Sequence, residues 1–206
     1  MKKIILLGIF LISSPVFSQN DASLEETKEW LINKVNDLST SFTRETTFFI
    51  GDPHKGEITF YNFRAYDSGD SFNLEYEYEK VYEKGTLDDA GYLFAVENAK
   101  EKLSIPWKDL ILVLGPAPDD NSAFTSKHDA CFIIAGKGDL SSSGTTKTRS
   151  GQDFKGTTKP FNRSRYTTIR SIIAADIDKK DVESYTNRFL NAYGHLKKFY
   201  KKQEKF

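Results

Sequence analysis

Cysteine is almost absent from this chain of 206 residues, and the one present, Cys131, excludes an internal disulfide and any thiolate-rich metal site. It lies in the apolar run Ala130-Cys131-Phe132-Ile133-Ile134, where a thiol acts as a small buried hydrophobe. Net charge is absent too. Twenty-nine Lys and Arg balance twenty-nine Asp and Glu, so the molecule as a whole has no pull toward nucleic acid or an anionic membrane. No G-x-S-x-G, H-E-x-x-H, Walker, C-x-x-C or dinucleotide-binding pattern occurs, so no local motif argues for catalysis, a cofactor or a metal. Long apolar runs are also missing. The longest, Ile4 to Ile12, has nine residues, too few to span a bilayer.

That run reads instead as a targeting segment. Lys2 and Lys3 precede it, Ser13, Ser14 and Pro15 break it, and Val16 and Ser18 suit the −3 and −1 positions of leader cleavage. Residues 1–18 are therefore expected to be a signal peptide, with residues 19–206 a single exported domain, periplasmic or secreted. Without Lys2 and Lys3 the balanced charge becomes two negative.

Aromatic residues are plentiful, and their spacing organises the rest. Val182, Tyr185, Phe189, Tyr193, Leu196 and Tyr200 recur at intervals of three and four. This stripe predicts a long amphipathic helix over 179–202, with Asp178 as N-cap and Asp181 at its positive end. Lys197, Lys198, Lys201 and Lys202 suit its negative end. Near the start, Ser23 and Glu26 form a capping box, and Leu24, Leu31, Val35 and Leu38 give a second stripe, predicting a helix over 24–38.

Between the helices the period is two. Thr46 to Ile50 and Glu57 to Phe63 flank Gly51–Gly56, a hairpin loop by composition. In Ser71 to Tyr82, residues Phe72, Leu74, Tyr76 and Tyr78 alternate with Asn73, Glu75, Glu77 and Glu79, which gives a dry and a wet face. Gly85 to Gly91 reads as a turn. Tyr92 to Val96 and Lys102 to Ile105 read as short strands joined by a turn at Asn98 to Glu101. Trp107 to Leu114 reads as a strand covered on both faces, Gly115 to Asn121 as a loop, and Lys127 to Gly136 and Tyr166 to Asp176 as further strands.

The sum is an α+β domain. A bent antiparallel meander or roll of about six or seven strands, within 42–176, follows one helix and is closed by the other. Such a chain, over Phe42 to Tyr200, resembles the pleckstrin-homology-like domain of uncharacterised exported bacterial proteins. The likeness rests on element order and on Ile105-Pro-Trp-Lys-Asp-Leu110 and Arg188-Phe-Leu-Asn-Ala-Tyr-Gly-His-Leu196. It implies a binding or scaffolding fold without catalysis and carries no site residues. A phosphoinositide ligand does not follow, because an exported protein would not meet one.

The most distinctive stretch is Gly136 to Arg165, which carries Lys137, Lys147, Arg149, Lys155, Lys159, Arg163 and Arg165 against Asp139 and Asp153. Seven minus two leaves a local charge of plus five. With few large apolar residues it reads as a long basic loop or a poorly regular hairpin, either solvated or suited to an anionic glycan or lipid headgroup. Lys147, Arg149, Lys155 and Lys159 are its candidate contacts. Stacking aromatics are too sparse there for a nucleic-acid platform.

Two other functions compete with this one. One is a carrier of an apolar small molecule or lipid between roll and terminal helix. The other is a hydrolase using surface carboxylates such as Glu75, Glu77 and Glu79. That Glu row also keeps a sheet face wet, and no spacing matches a calcium loop. His54, His128 and His195 suit structural roles, as do Trp30 and Trp107. Residues 128 and 131, three apart on a strand, face opposite ways and cannot pair as imidazole and thiol.

Overall fold

The computed structural model describes residues 22–50, 52–84, 93–117, 128–150 and 156–203. The expected leader and the turn at Gly85 to Gly91 lie outside these residues, as does most of the Gly115–Asn121 loop. Two helices, α1 (Leu24–Leu38) and α2 (Val182–Gln203), flank seven strands: β1 (Phe42–Ile50), β2 (Asp52–Asp67), β3 (Ser71–Lys84), β4 (Leu93–Pro106), β5 (Ile111–Pro116), β6 (Ala130–Ser150) and β7 (Thr157–Ala175). Every pairing is antiparallel. The α+β class, with a helix at each end of an antiparallel sheet, is as the sequence predicts.

Strand order departs from a meander. β1 to β4 pair in succession, but β4 then pairs with β6 rather than β5. Strand β6 is long enough to serve two partners along one edge. Its first residues, Ala130 to Ala135, pair with β5, and Asp139 to Ser150 pair with β4. The changeover falls at Gly136-Lys137-Gly138. A Cβ on Gly136, whose φ is 154°, would lie 2.6 Å from Ile105 Cγ2, and one on Gly138 would lie 2.1 Å from the Ser104 carbonyl oxygen. These glycines allow close strand approach, and they do not make a turn.

The expected basic loop is therefore corrected, and the stretch takes the hairpin alternative in a long and regular form. Gly136 to Ser150 and Thr157 to Arg165 lie in β6 and β7, paired from Ala130↔Ala175 out to Thr148↔Thr157. Thr-rich sequence suits strands, and ladder hydrogen bonds on both edges of β6 order a stretch that buries little. Asn98 to Glu101 likewise belongs to a continuous β4 and not to a turn. The β1–β2 pairing runs to Ile50↔Asp52, so the expected Gly51–Gly56 loop is mostly strand. Trp107 opens a turn instead of a strand, since Asp109 and Leu110 both donate backbone N–H to the Pro106 carbonyl. Ile111 is exposed, so β5 is covered on one face only.

Both helices pack at the end of the sheet formed by the β2–β3 turn and β5. Phe189 of α2 meets Phe132 of β6 at 5.5 Å and Trp30 of α1 at 5.8 Å. Trp30 thus joins helix to helix. The capping box at Ser23 and Glu26 is formed, but the Asp178 side chain makes no capping bond and a 3-10 turn, Lys179–Asp181, precedes α2. Lys28 of α1 is buried. It donates to the Gly69 carbonyl at 2.9 Å, approaches Asp67 at 3.7 Å and lies over Trp107. Fully buried Trp107 donates Nε1–H to Asp67 at 2.8 Å. His195 shares a 3.1 Å hydrogen bond with Thr27 and meets Phe199 edge-on. Cys131 is buried, as expected, and burial raises its pKa.

A bulge in β2 lets the sheet turn. The β2–β3 register shifts between Tyr61 and Arg64, and Asn62 adopts φ 56°, a conformation Asn tolerates well. Past Phe60, β2 has lost β1 as a neighbour, and α1 covers its edge. Asn36 donates to the Ala65 carbonyl at 3.0 Å and accepts from the Ala65 N–H at 2.6 Å, as a pairing strand would.

Candidate ligand-binding site

Curling brings the two sheet edges, β1 and β7, toward one another. Just before β1 begins and where β7 ends they are tied: Ser39 bridges Ala175, Thr40 N–H donates to Ala174 O, and Asp176 N–H donates to Leu38 O. Among the described residues no ladder joins them beyond that point. A cavity of about 310 Å³ lies in the concave face between them. It sits at the small end of the range for organic ligands, roughly 300–1,000 Å³.

Alternation along each strand decides what enters this cavity. On β3 the inward row reads Phe72, Leu74, Tyr76, Tyr78, Lys80, and on β4 it reads Ile105, Leu103, Ala99 and Ala95 with Glu101 and Glu97 between. Residues nearer the helices are apolar and those farther along are polar. The floor is Phe42, Phe60, Phe63, Leu103, Ile169 and Ile173, with Phe42 stacked on Phe60 at 4.9 Å.

Each inward carboxylate is met by a phenol from the neighbouring strand. Tyr78 donates to Glu97 at 2.6 Å, and Thr146 approaches the other Glu97 oxygen at 3.4 Å. Tyr76, itself buried, donates to Glu101. Burial pushes the Glu101 carboxyl above the ordinary carboxylate range, opposed by the Tyr76 hydrogen bond and by the nearby Arg165 and Arg44 charges. Burial also raises both phenols, Tyr76 strongly, so each stays protonated and able to donate.

The arginines come from opposite edges. Arg44 lies on β1 with its guanidinium 5.1 Å from the Phe60 ring centre, and Arg165 lies on β7; both are exposed. Scans of protein-family models, curated proteins and solved structures find no match for this chain. The reading of the site therefore rests on its geometry alone.

The four nominated cations are not one cluster. Lys147 and Arg149 follow the convex register of β6, with Arg149 lying over Phe94 at 5.6 Å. Lys159 pairs with Thr146 and shares the concave register, and Lys155 lies outside the described residues. The convex glutamates have local partners: Glu75 pairs with Lys100 at 2.9 Å and accepts from Tyr66, while Glu77 accepts from Asn62. Lys100 chiefly, then Tyr66, holds the Glu75 carboxyl below its usual range. No group of metal-ligating side chains occurs among the described residues. The space lies along β1 to β4, β6 and β7, and no α2 residue lines it, unlike the expected pocket between roll and terminal helix.

Sequence reasoning missed Arg44, Tyr76, Glu97 and Glu101 as a group. One of them, Glu101, sat in a supposed turn, and Glu97 just before it. The available signal was Ala95-x-Glu97-x-Ala99-x-Glu101-x-Leu103, a period of two in which carboxylates occupy apolar positions.

Proposed function

We propose that this protein is a non-enzymatic binding module, exported from the cell, whose ligand is a small amphipathic molecule held on the concave face of the sheet. One observation carries the reading: a 310 Å³ space with an aromatic and aliphatic floor and a charged rim, left between two sheet edges that no ladder joins among the described residues. Natural interiors are otherwise close-packed. The aromatic floor offers an apolar body its contact, and the phenol–carboxylate pairs and guanidiniums offer a polar head its partners. Export follows from the leader-like residues 1–18, and the likeness to a pleckstrin-homology-like roll agrees with a binding role.

Nile red, which is neutral and fluoresces in apolar surroundings, tests the cavity without favouring either charge. Saturable binding of one dye per chain is expected. Thr167→Trp, which adds a large side chain from an edge strand where Trp is well tolerated, should abolish it while leaving the fold intact by circular dichroism. Dye binding indifferent to that substitution would place the site elsewhere and end the proposal.

A further inference from the structure

We infer that the ligand of this cavity is an amphiphilic monoanion, carboxylate-headed and short in its apolar part, whose head is clasped by Arg44 and Arg165. The inference rests on the cavity reading above and adds the sign of the charge.

Charge counting points first to an anion. Among the described residues, the inward-register ionisable side chains that line the cavity are Arg44, Lys80 and Arg165 against Glu97 and Glu101, so three minus two leaves one positive charge, to which Arg170, lining it from the other register of β7, can only add. An anionic head brings that to zero, and a cationic head would raise it to two. Both carboxylates already accept a phenol hydrogen bond, so neither waits for a cationic partner.

Geometry points the same way. Among the described residues neither the Arg44 nor the Arg165 side chain has a hydrogen bond or salt bridge. Arg44 uses only the face of its guanidinium, over Phe60, which leaves the N–H edge to receive an acceptor. A planar carboxylate matches that edge, and two guanidiniums from opposite lips can grip it from both sides. Beyond Arg165 the concave register of β7 continues to Arg163 and Lys159, a basic track toward the mouth that would raise the local concentration of an anion. The length of the apolar part follows from the volume, which suits a small organic molecule rather than a long-chain lipid.

Decanoate, decanol and decyltrimethylammonium, used below their micelle concentrations, share a chain and differ in head charge. Each is titrated against the Nile red complex of the full chain, at low and high salt, and decanoate also by calorimetry. Decanoate should displace the dye at about tenfold lower concentration than the other two, with the preference shrinking in high salt. The double variant R44Q/R165Q should lose the preference, read by displacement of whatever Nile red it binds and by calorimetry. Equal displacement by decanol, stronger displacement by the cation, or an undiminished preference in the double variant overturns the inference and leaves the cavity reading standing. Failure of the wild-type chain to bind either Nile red or decanoate removes both.

Discussion

Along the same strands the sheet has two halves, and they obey different rules. Near the helices, inward positions are Phe72, Leu74, Leu103, Ile105, Phe132 and Ile134, all fully buried, and α1 and α2 lie over that end. Toward the far end the same rows continue as Tyr76, Tyr78, Glu97, Glu101 and Arg165, around open space. A sheet face must be covered by something apolar or remain wet. The first half is covered by the protein itself; the second keeps polar groups paired with one another, which lets a gap persist without collapse. What differs is the lid, since the strands themselves run on without a break.

Four substitutions sharpen that contrast, from the largest expected effect to the smallest. Phe189→Ala removes the ring shared by Trp30 and Phe132 and should cost about 3–5 kcal/mol, read by urea unfolding. If it costs no more than a surface change, the helices are not the lid of the apolar half. Asn36→Ala should cost about 1–3 kcal/mol, because it leaves the Ala65 N–H and C=O on an uncovered edge. Hydrogen exchange at Ala65 should rise in that variant, and an unchanged rate would contradict the clasp.

Glu101→Gln tests the polar half and carries the opposite sign. Burial lifts the folded-state pKa of Glu101 above its unfolded value, so the protonated form favours the fold. The wild-type contribution is complete below the ordinary carboxylate range and is lost as pH rises through the raised value. The variant should therefore melt higher than wild type at pH 7, and the gain should vanish as pH falls through that window. A gain independent of pH would show that Glu101 is not held in that environment. Glu75→Gln, on the convex face, should cost at most about 1 kcal/mol. Its carboxyl is held low, so that cost should disappear as pH falls through the lowered value.

Legibility divided along the same line. The apolar half was readable: the Phe189 stripe, the Ser23–Glu26 cap, the Phe72–Tyr78 alternation and the burial of Cys131 each follow from local spacing. Around the cavity the reading failed, because Glu97 and Glu101 stand at inward positions where a period-two pattern demands apolar residues. Strand β4 was consequently broken into two short strands and a turn. Gly136, Gly138 and the Ser-Thr run after them suggested a loop, since nothing in a single sequence says that the ladder partners lie on β4 and β7.

By itself the sequence determined the class of the fold, the two helices and the faces of the strands with a clean alternation, because those depend on residues within a turn or a few positions of each other. Only the tertiary structure decided that β6 bypasses β5 to reach β4, that Lys147 and Lys159 take opposite faces, and that the charges of Arg44 and Arg165 both act on Glu101. Such placements are set by sheet curvature and long-range register, which bring together groups more than a hundred residues apart in the chain.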